Sequence, residues 1–237
     1  KYKNFYIKKN KLNNLLKLKL PEQRSPEWYE LRKNILTASS FAAALGKCHF
    51  TSRDELIYGK IVPQPYESSS ITEWGVKYEE IATLFYQSIT GTVVKEFGLI
   101  PHPTFPIFGA SPDGICDDTG NDEFVARMVE IKCPPKRKFT KTVPHHYWMQ
   151  VQGQLEVCDL DECEFFQVKL EEYDCTTSSA TLLDAPIILV GLTALSLDIS
   201  TRFETFLLIE ALVTDNVPNT LFFTPAQIFS STNGTCL

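Results

Sequence analysis

The sequence lacks an apolar stretch long enough to cross a membrane, which takes about 20 predominantly apolar residues. Its longest candidate, residues 180–197, is interrupted by Asp184 and Pro186. The N-terminus also lacks an initiator methionine and an apolar signal core, which is typical of a fragment and not of a secretory precursor. We therefore expect no membrane span and an intracellular protein.

Paired cysteines are missing too. The seven cysteines are scattered, odd in number and form no C-x-x-C pair. This pattern argues against a structural zinc site and against a disulfide framework. It favours reduced thiols, most of them buried as small apolar side chains, in an intracellular compartment.

An excess of positive charge is absent, since the formal net charge is -6 at pH 7. Over the whole chain this argues against a nucleic-acid partner. The positive charge is concentrated, however: residues 1–20 hold seven lysines and no acid, and a basic loop contains Lys136, Arg137, Lys138 and Lys141. Because local charge governs the approach of a charged ligand, this loop is a candidate DNA-binding segment.

The composition, 43% apolar and 22% charged over 237 residues, is typical of a globular protein with one large domain or two small ones. Hydrophobic periodicity and cap residues predict helices at 26–33, 72–88 and 145–157. Further segments predict strands at 93–100, 107–111, 124–133 and 164–170. This order predicts an α/β fold with a mixed central β-sheet flanked by helices.

The two ends of the chain differ from the middle. Residues 1–22 form a basic lead-in with weak helical spacing of leucines, which predicts a peripheral helix or a mobile arm. Residues 23–173 carry the predicted α/β domain. Residues 174–237 contain apolar clusters, such as 187–190, that fit neither the helical nor the strand period. We assign this C-terminal segment no role.

The strongest chemical pattern joins Asp113, in a Ser-Pro-Asp-Gly turn, to Glu130, Ile131 and Lys132, which begin seventeen residues later. On a strand, Glu130 and Lys132 share one face while Ile131 points into the core. A hairpin between residues 105 and 133 would bring Asp113 beside them. Such a site could hold a divalent metal and activate a water, as phosphodiester hydrolysis requires. Taken singly, these patterns more often reflect an exposed turn and an ion pair, but their order and spacing, with strands on both sides, favour the site.

Three further groups could complete this site. Glu79 or Glu80, on the long helix, could add a third carboxylate, or both could belong to a solvated helix face. Gln150 shares a helix face with Tyr147 and Gln154 and could orient a water or a phosphate, although glutamines on helices are more often simply exposed.

Arg32 and Ser39 lie near a predicted helix N-terminus, where a phosphate binds well. An N-cap beside a surface arginine explains them equally well.

Five ordered blocks between residues 25 and 173 resemble the YqaJ-like viral recombinases, a family within the PD-(D/E)xK nucleases that includes phage lambda exonuclease. The blocks are 31–39 (LRKNILTAS), 74–79 (WGVKYE), 111–114 (SPDG), 130–134 (EIKCP) and 147–152 (YWMQVQ). The resemblance implies a restriction-endonuclease-like core. Five blocks in order are far more specific than any one of them.

The resemblance also implies roles for single residues. Glu79, Asp113, Glu130 and the carbonyl of Ile131 would hold Mg²⁺, with Mn²⁺ as a substitute. Lys132 would position the attacking water, and Gln150 would support the site. By the same resemblance, Arg32 and Ser39 look like residues that bind the 5′-phosphate of a DNA end.

The function implied is a metal-dependent exonuclease that degrades duplex DNA, 5′ to 3′, in recombination or repair. Family members act as ring-shaped homotrimers, so a homotrimer and a single-strand annealing protein are expected partners. Two alternatives stay open: an endonuclease of the same superfamily, and a catalytically impaired module that binds DNA ends. The basic loop would follow the DNA backbone with salt-sensitive contacts.

Overall fold

A computed structural model of the protein describes residues 2–62, 69–139, 141–172 and 187–198. Within these residues no helix is both long and apolar enough to span a membrane. The predicted C-terminal segment falls outside the described residues except for 187–198.

The described residues form six α-helices and eight β-strands. The helices are α1 (Tyr2–Leu16), α2 (Pro26–Lys33), α3 (Phe41–Ala44), α4 (Arg53–Ile61), α5 (Ser70–Thr90) and α6 (His145–Cys158). The strands are β1 (Leu36–Thr37), β2 (Val94–Lys95), β3 (Ile100–Pro101), β4 (Phe108–Ala110), β5 (Gly114–Cys116), β6 (Met128–Lys132), β7 (Glu162–Glu172) and β8 (Ile187–Asp198).

The strands form two mixed sheets. A three-stranded sheet has the order β1-β4-β3, and a five-stranded sheet has the order β2-β5-β6-β7-β8. Strands β5 and β6 form an antiparallel hairpin, while β6 and β7 are parallel. Parallel neighbours need a crossover, which α6 provides. The predicted mixed α/β class is confirmed, although two sheets stand where one was expected.

Strand β6 is the centre of the larger sheet and is buried on both faces. On one face Val129, Ile131 and Cys133 join an apolar cluster with Tyr78 and Ala82 of α5. The other face packs against α6. Ile131 therefore points into the core, as the alternation of the strand predicts.

The helices that flank the site have residues at their ends that suit helix caps. Ser25 caps α2, with Pro26 in its first turn, and Ser69 caps α5 by accepting a hydrogen bond from the backbone of Thr72. Helix α5 ends at Gly91, whose φ of 69° is a left-handed conformation that glycine adopts without steric cost. It extends two residues beyond the predicted span 72–88 at each end.

Helix α1, and not a mobile arm, occupies most of the basic lead-in. Leu12 and Leu15 are buried against the larger core cluster. Three of its lysines pair with acids of the domain: Lys8 with Glu162 at 2.8 Å, Lys9 with Asp118 at 2.6 Å and Lys11 with Asp161 at 3.0 Å. Part of the basic charge of the lead-in is thus compensated within the chain.

Two strand predictions were wrong in extent. Residues 93–100 do not form one strand, because β2 and β3 belong to different sheets. The strand predicted from residue 124 begins at Met128, since a 3-10 turn occupies Asp122–Phe124.

The interpretation of residues 187–190 as fitting no period was also wrong. They begin β8, which pairs antiparallel with β7 along its length. From residue 193 onward, exposed and half-buried side chains alternate, as in a strand covered on one face.

Candidate active site

Asp113 lies in the connection between β4 and β5, directly before the hairpin that leads to β6. Its Oδ2 accepts a hydrogen bond of 2.6 Å from the backbone N–H of Ile131. The hairpin register places Gly114 opposite Val129. Asp113 is therefore held beside the strand that carries the other predicted site residues.

Glu130 has no exposed surface, and its carboxylate has three partners. Oε1 contacts the ammonium of Lys132 and accepts a hydrogen bond of 2.6 Å from Gln150. Oε2 accepts one of 2.8 Å from Gln154. Because burying a polar group is costly unless it is hydrogen-bonded, these donors offset the cost of burying the carboxyl group inside the fold.

Glu79 stands on α5, and its Oε2 accepts a hydrogen bond of 2.7 Å from the guanidinium of Arg24. Glu80 is exposed. Burial raises the pKa of Glu79, the charges of Arg24 and Lys132 lower it and that of Glu130 raises it, so Glu79 is the acid of this pair that interacts with the β6 cluster.

Burial and mutual repulsion act on the carboxylates. Burial raises the pKa of Asp113 well above its usual value, and the negative charges of Glu130 and Glu79 raise it further. Burial also raises the pKa of Glu79, against the opposing effect of Arg24. Burial by itself would lower the pKa of Lys132, but Glu130 and Asp113 outweigh it and raise that pKa. Lys132 is consequently a stable ammonium at neutral pH.

The donor set suits a hard divalent cation, which prefers carboxylate and carbonyl oxygens. Repulsion among Asp113, Glu130 and Glu79 is what such a cation relieves. In the arrangement described, Arg24 and Lys132 neutralise two of the acids, and no group of three His, Cys, Asp or Glu side chains stands in a ligating arrangement among the described residues. Ile131, whose carbonyl is the predicted fourth ligand, lies between Glu130 and Lys132 on β6.

Arg32 and Ser39 face the same cleft as Asp113 and Glu130, whereas Glu79 is not among the cleft-lining residues that the structure describes. The cleft has a volume of about 870 Å³, and its lining includes Arg32, Ser39, Asp113, Glu130, Lys132 and Gln150. Arg32 stacks over Trp28, its Cζ 4.2 Å from the ring centroid, and Trp28 in turn donates a 3.1 Å hydrogen bond to Ser111. The exposed Ser39 hydroxyl is 3.1 Å from that of Thr37.

The basic loop lies beside the cleft and not in it. Lys136 and Lys138 are exposed, whereas Arg137 is half-buried with its Cζ 5.8 Å from the ring centroid of Tyr147. None of the three is among the cleft-lining residues that the structure describes. A contact between this loop and DNA therefore stays a prediction.

Sequence reasoning missed Gln154 and Arg24 as members of the site. A signal for Gln154 existed, because it lies one helical turn after Gln150 on the same face. Arg24 gave none: its φ of 67° is rare for a residue other than glycine, and the contact with Glu79 spans 55 positions.

Comparison with known proteins identifies relatives of this chain. A family model described as the YqaJ-like viral recombinase domain matches residues 27–161. An uncharacterised protein, R354, of Acanthamoeba polyphaga mimivirus is 34% identical over an alignment of 183 residues, and the match covers 71% of this chain and 33% of the relative. Protein D345L of African swine fever virus is 25% identical over an alignment of 158 residues, and the match covers 57% of this chain and 46% of the relative. The chain thus spans less than half the length of these viral relatives.

Among solved structures, the alkaline exonuclease LHK-Exo from Laribacter hongkongensis resembles this chain with a TM-score of 0.57 and 24% identity. The match covers 87% of this chain and 94% of the exonuclease. At this level of identity the likeness establishes a common fold.

Proposed function

The chain belongs to the YqaJ-like viral recombinase domain family, and from this membership and the geometry of its cleft we propose that it is a metal-dependent DNA exonuclease. One observation carries the proposal. Carboxylates from three separate elements, Glu79, Asp113 and Glu130, interact beside a lysine that stays charged, and burial together with repulsion from Glu130 raises the pKa of Glu79 and of Asp113. Such a cluster is costly to the fold, and perturbed acids in a cleft are typical of a catalytic site.

Glu79, Asp113, Glu130 and the carbonyl of Ile131 would hold Mg²⁺, or Mn²⁺ in its place. The bound ion would supply positive charge to the scissile phosphate and lower the pKa of a nearby water. Without it, the carboxylates repel the DNA backbone.

The chain's own residues then orient the reactants. Lys132, as an ammonium, donates hydrogen bonds and positive charge to the water and the phosphate, and it does not take up a proton itself. Gln150 and Gln154 bind Glu130 through their amide nitrogens and fix its orientation. The contact from Gln154 adds to the sequence-based prediction, which named only Gln150 as a support of the site.

The substrate is a duplex DNA end that carries a 5′-phosphate. Arg32 is placed by its stacking on Trp28, and Ser39 exposes a hydroxyl to the same cleft. A charged fork and a hydroxyl together suit a terminal phosphate. Gripping the 5′ end beside the carboxylates would give 5′-to-3′ degradation, in recombination or repair.

A homotrimer, a single-strand annealing protein as partner, and action inside the host cell remain parts of this proposal that rest on family resemblance. The likeness of the fold to an alkaline exonuclease supports exonuclease over endonuclease action. One contact favours the alternative of a module that binds DNA ends without turnover: Arg24 forms a salt bridge with Glu79, one of the proposed metal ligands.

Digestion of linear and circular duplex, each in Mg²⁺ and in chelator, tests the proposal. We expect loss of linear duplex only, only with metal, and faster when the 5′ end is phosphorylated. Cleavage of circular duplex would establish an endonuclease. Binding of ends without any metal-dependent product would establish the binding module, and cleavage in chelator would refute the role of the metal.

A further inference from the structure

Four rings lie next to one another beside the cleft and form what we term the aromatic platform: His49, Phe50, His146 and Tyr147. The ring centroids of His49 and Phe50 are 3.9 Å apart, those of His49 and His146 4.9 Å, and those of His146 and Tyr147 4.1 Å. The loop before α4 contributes the first two rings, and the first turn of α6 contributes the other two.

The aromatic platform adjoins the reacting groups. The ammonium of Lys132 is 5.3 Å from the ring centroid of Tyr147. The rings therefore lead without interruption from the predicted catalytic lysine to Phe50, of which 72% is exposed. None of the four rings is among the cleft-lining residues that the structure describes, and the platform joins the cleft where Tyr147 approaches Lys132.

Polar atoms without hydrogen-bond partners lie at the same place. Both terminal nitrogens of Arg137 and Nε2 of His146 are buried and have no hydrogen-bond partner within the part of the chain that the structure describes. Burying such groups unpaired is unfavourable, and an anion that accepts from them removes the cost. Arg137 approaches the platform at Tyr147, with its Cζ 5.8 Å from that ring centroid.

The start of α6 adds to the positive electrostatic potential of Arg137. The helix begins at His145 after Pro144, with no side-chain cap and no acid in its first turn. Its first backbone N–H groups, together with Arg137, suit a phosphate. The pKa of His146 is lowered by burial and by neighbouring positive groups, which is consistent with such a potential.

An exposed phenylalanine on a loop is by itself ordinary. What distinguishes Phe50 is its place at one end of a run of rings whose other end, Tyr147, approaches both Lys132 and the guanidinium of Arg137. Open ring faces stack on nucleobases of any sequence, but only on bases whose own faces are open. This requirement selects an unpaired strand over intact duplex.

We propose that the aromatic platform binds an unpaired nucleotide of single-stranded DNA at the cleft: a base stacks on Phe50 and His49, and its phosphate accepts hydrogen bonds from Arg137, His146 and the start of α6. This site deepens the proposed exonuclease function and rests on it. It would hold the strand that has been separated from the duplex next to the metal-binding carboxylates.

Fluorescence anisotropy with a labelled oligothymidylate and with a blunt duplex, in Ca²⁺, tests the platform. The variants are Phe50→Ala, Phe50→Leu, Arg137→Gln and, as a matched control, Tyr58→Ala, which removes an aromatic ring of 58% exposure on α4. Both Phe50 variants should weaken oligothymidylate binding about tenfold and duplex binding much less. Arg137→Gln should lower the slope of log affinity against log salt by about one. Tyr58→Ala should bind as the wild type does.

Wild-type affinity of Phe50→Ala or Phe50→Leu for oligothymidylate would overturn the platform, as would an equal loss in Tyr58→Ala. Cleavage of linear duplex in Mg²⁺, measured on the same preparations, separates the two proposals. Wild-type cleavage with unchanged oligothymidylate binding in the Phe50 variants refutes the platform alone. No cleavage by the wild type, with a tenfold loss of binding in those variants, refutes the exonuclease and retains the nucleotide site.

Discussion

The two faces of strand β6 differ in what they contain and in what they pack against. One face places Val129, Ile131 and Cys133 against α5 in an apolar cluster. The opposite face, which carries the alternate residues of the strand, places Glu130 and Lys132 against the glutamines of α6. Burial of the first face stabilises the fold, whereas burial of charge on the second costs free energy that its hydrogen bonds only offset.

This difference indicates that the two faces of β6 have different roles, one in stability and one in positioning the site residues. The apolar face fixes the strand in the sheet, and the position of the strand fixes the acid and the lysine with an accuracy that a loop would not give. Asp113 is joined to the same strand through the N–H of Ile131, a backbone group that belongs to neither face. Substitutions on the two faces should therefore separate stability from activity.

The largest effect should come from the polar face. The double variant Glu130→Gln/Lys132→Met keeps the shape of both side chains and removes both charges. We expect cleavage to fall by at least about 10³-fold, since metal binding and the positive charge at the phosphate are lost together. Urea unfolding of the same preparation checks that the double variant is folded, because the amide of Glu130→Gln offers one oxygen to the two glutamine donors where the carboxylate offered two. A cleavage rate close to that of the wild type would contradict the assignment.

The next effect lies on the apolar face. Ile131→Ala should lower the free energy of unfolding by about 2–5 kcal/mol, because a side chain that is 5% exposed leaves a cavity. Its backbone N–H still binds Asp113, so the cleavage rate per folded molecule should be retained. Urea unfolding and active-site-normalised kinetics measure the two quantities. Ile89→Ala, at 55% exposure on α5, is the control and should change stability by no more than about 0.5 kcal/mol.

Substitution of Gln154 tests whether the polar face of β6 contributes to stability as well as to activity. Gln154→Leu removes a donor that is 2.8 Å from Glu130 Oε2 and should cost about 1.5–3 kcal/mol of stability, as for a hydrogen bond to a charged group. Because the freed carboxylate loses its orientation, the cleavage rate should also fall, by about tenfold. Loss of stability with an unchanged rate would mean that Gln154 only supports the fold.

The smallest effect concerns Lys60, which donates hydrogen bonds of 2.6 and 2.8 Å to the carbonyls of Arg32 and Ile35. Burial, and then the charge of Arg32, lowers its pKa to about 8. At pH values between this folded-state pKa and the usual pKa of lysine, Lys60 binds more protons in the unfolded chain than in the folded one. The free energy of unfolding should therefore rise with pH. In Lys60→Met this rise should be smaller when thermal unfolding is followed from pH 7.5 to 10. Identical pH profiles would exclude the effect.

The β6 region was predictable because each signal was local. The alternation of residues 129–132 fixed which side chains share a face, and the helical spacing of Tyr147, Gln150 and Gln154 matched the face that meets Glu130. The Ser-Pro-Asp-Gly turn placed Asp113 before a hairpin, and Glu79 was chosen over Glu80 by resemblance.

The remainder depended on contacts between distant parts of the chain. The strand character of residues 187–198 comes from pairing with β7, a partner that the period of a short apolar run does not reveal. The docking of α1 depends on lysines that meet acids about 110 to 154 positions away. Arg24 contacts Glu79 from a left-handed backbone conformation that no residue pattern predicts.

Cation binding and cleavage, measured together, test the central claim most directly. Titration calorimetry with Mn²⁺ would be carried out on the wild type and on the triple variant Glu79→Gln/Asp113→Asn/Glu130→Gln, with cleavage of linear duplex followed on the same samples. We predict that the wild type binds the cation and cleaves, while the triple variant folds but does neither. Cleavage by the folded triple variant at the wild-type rate, or by the wild type in chelator, would contradict the account.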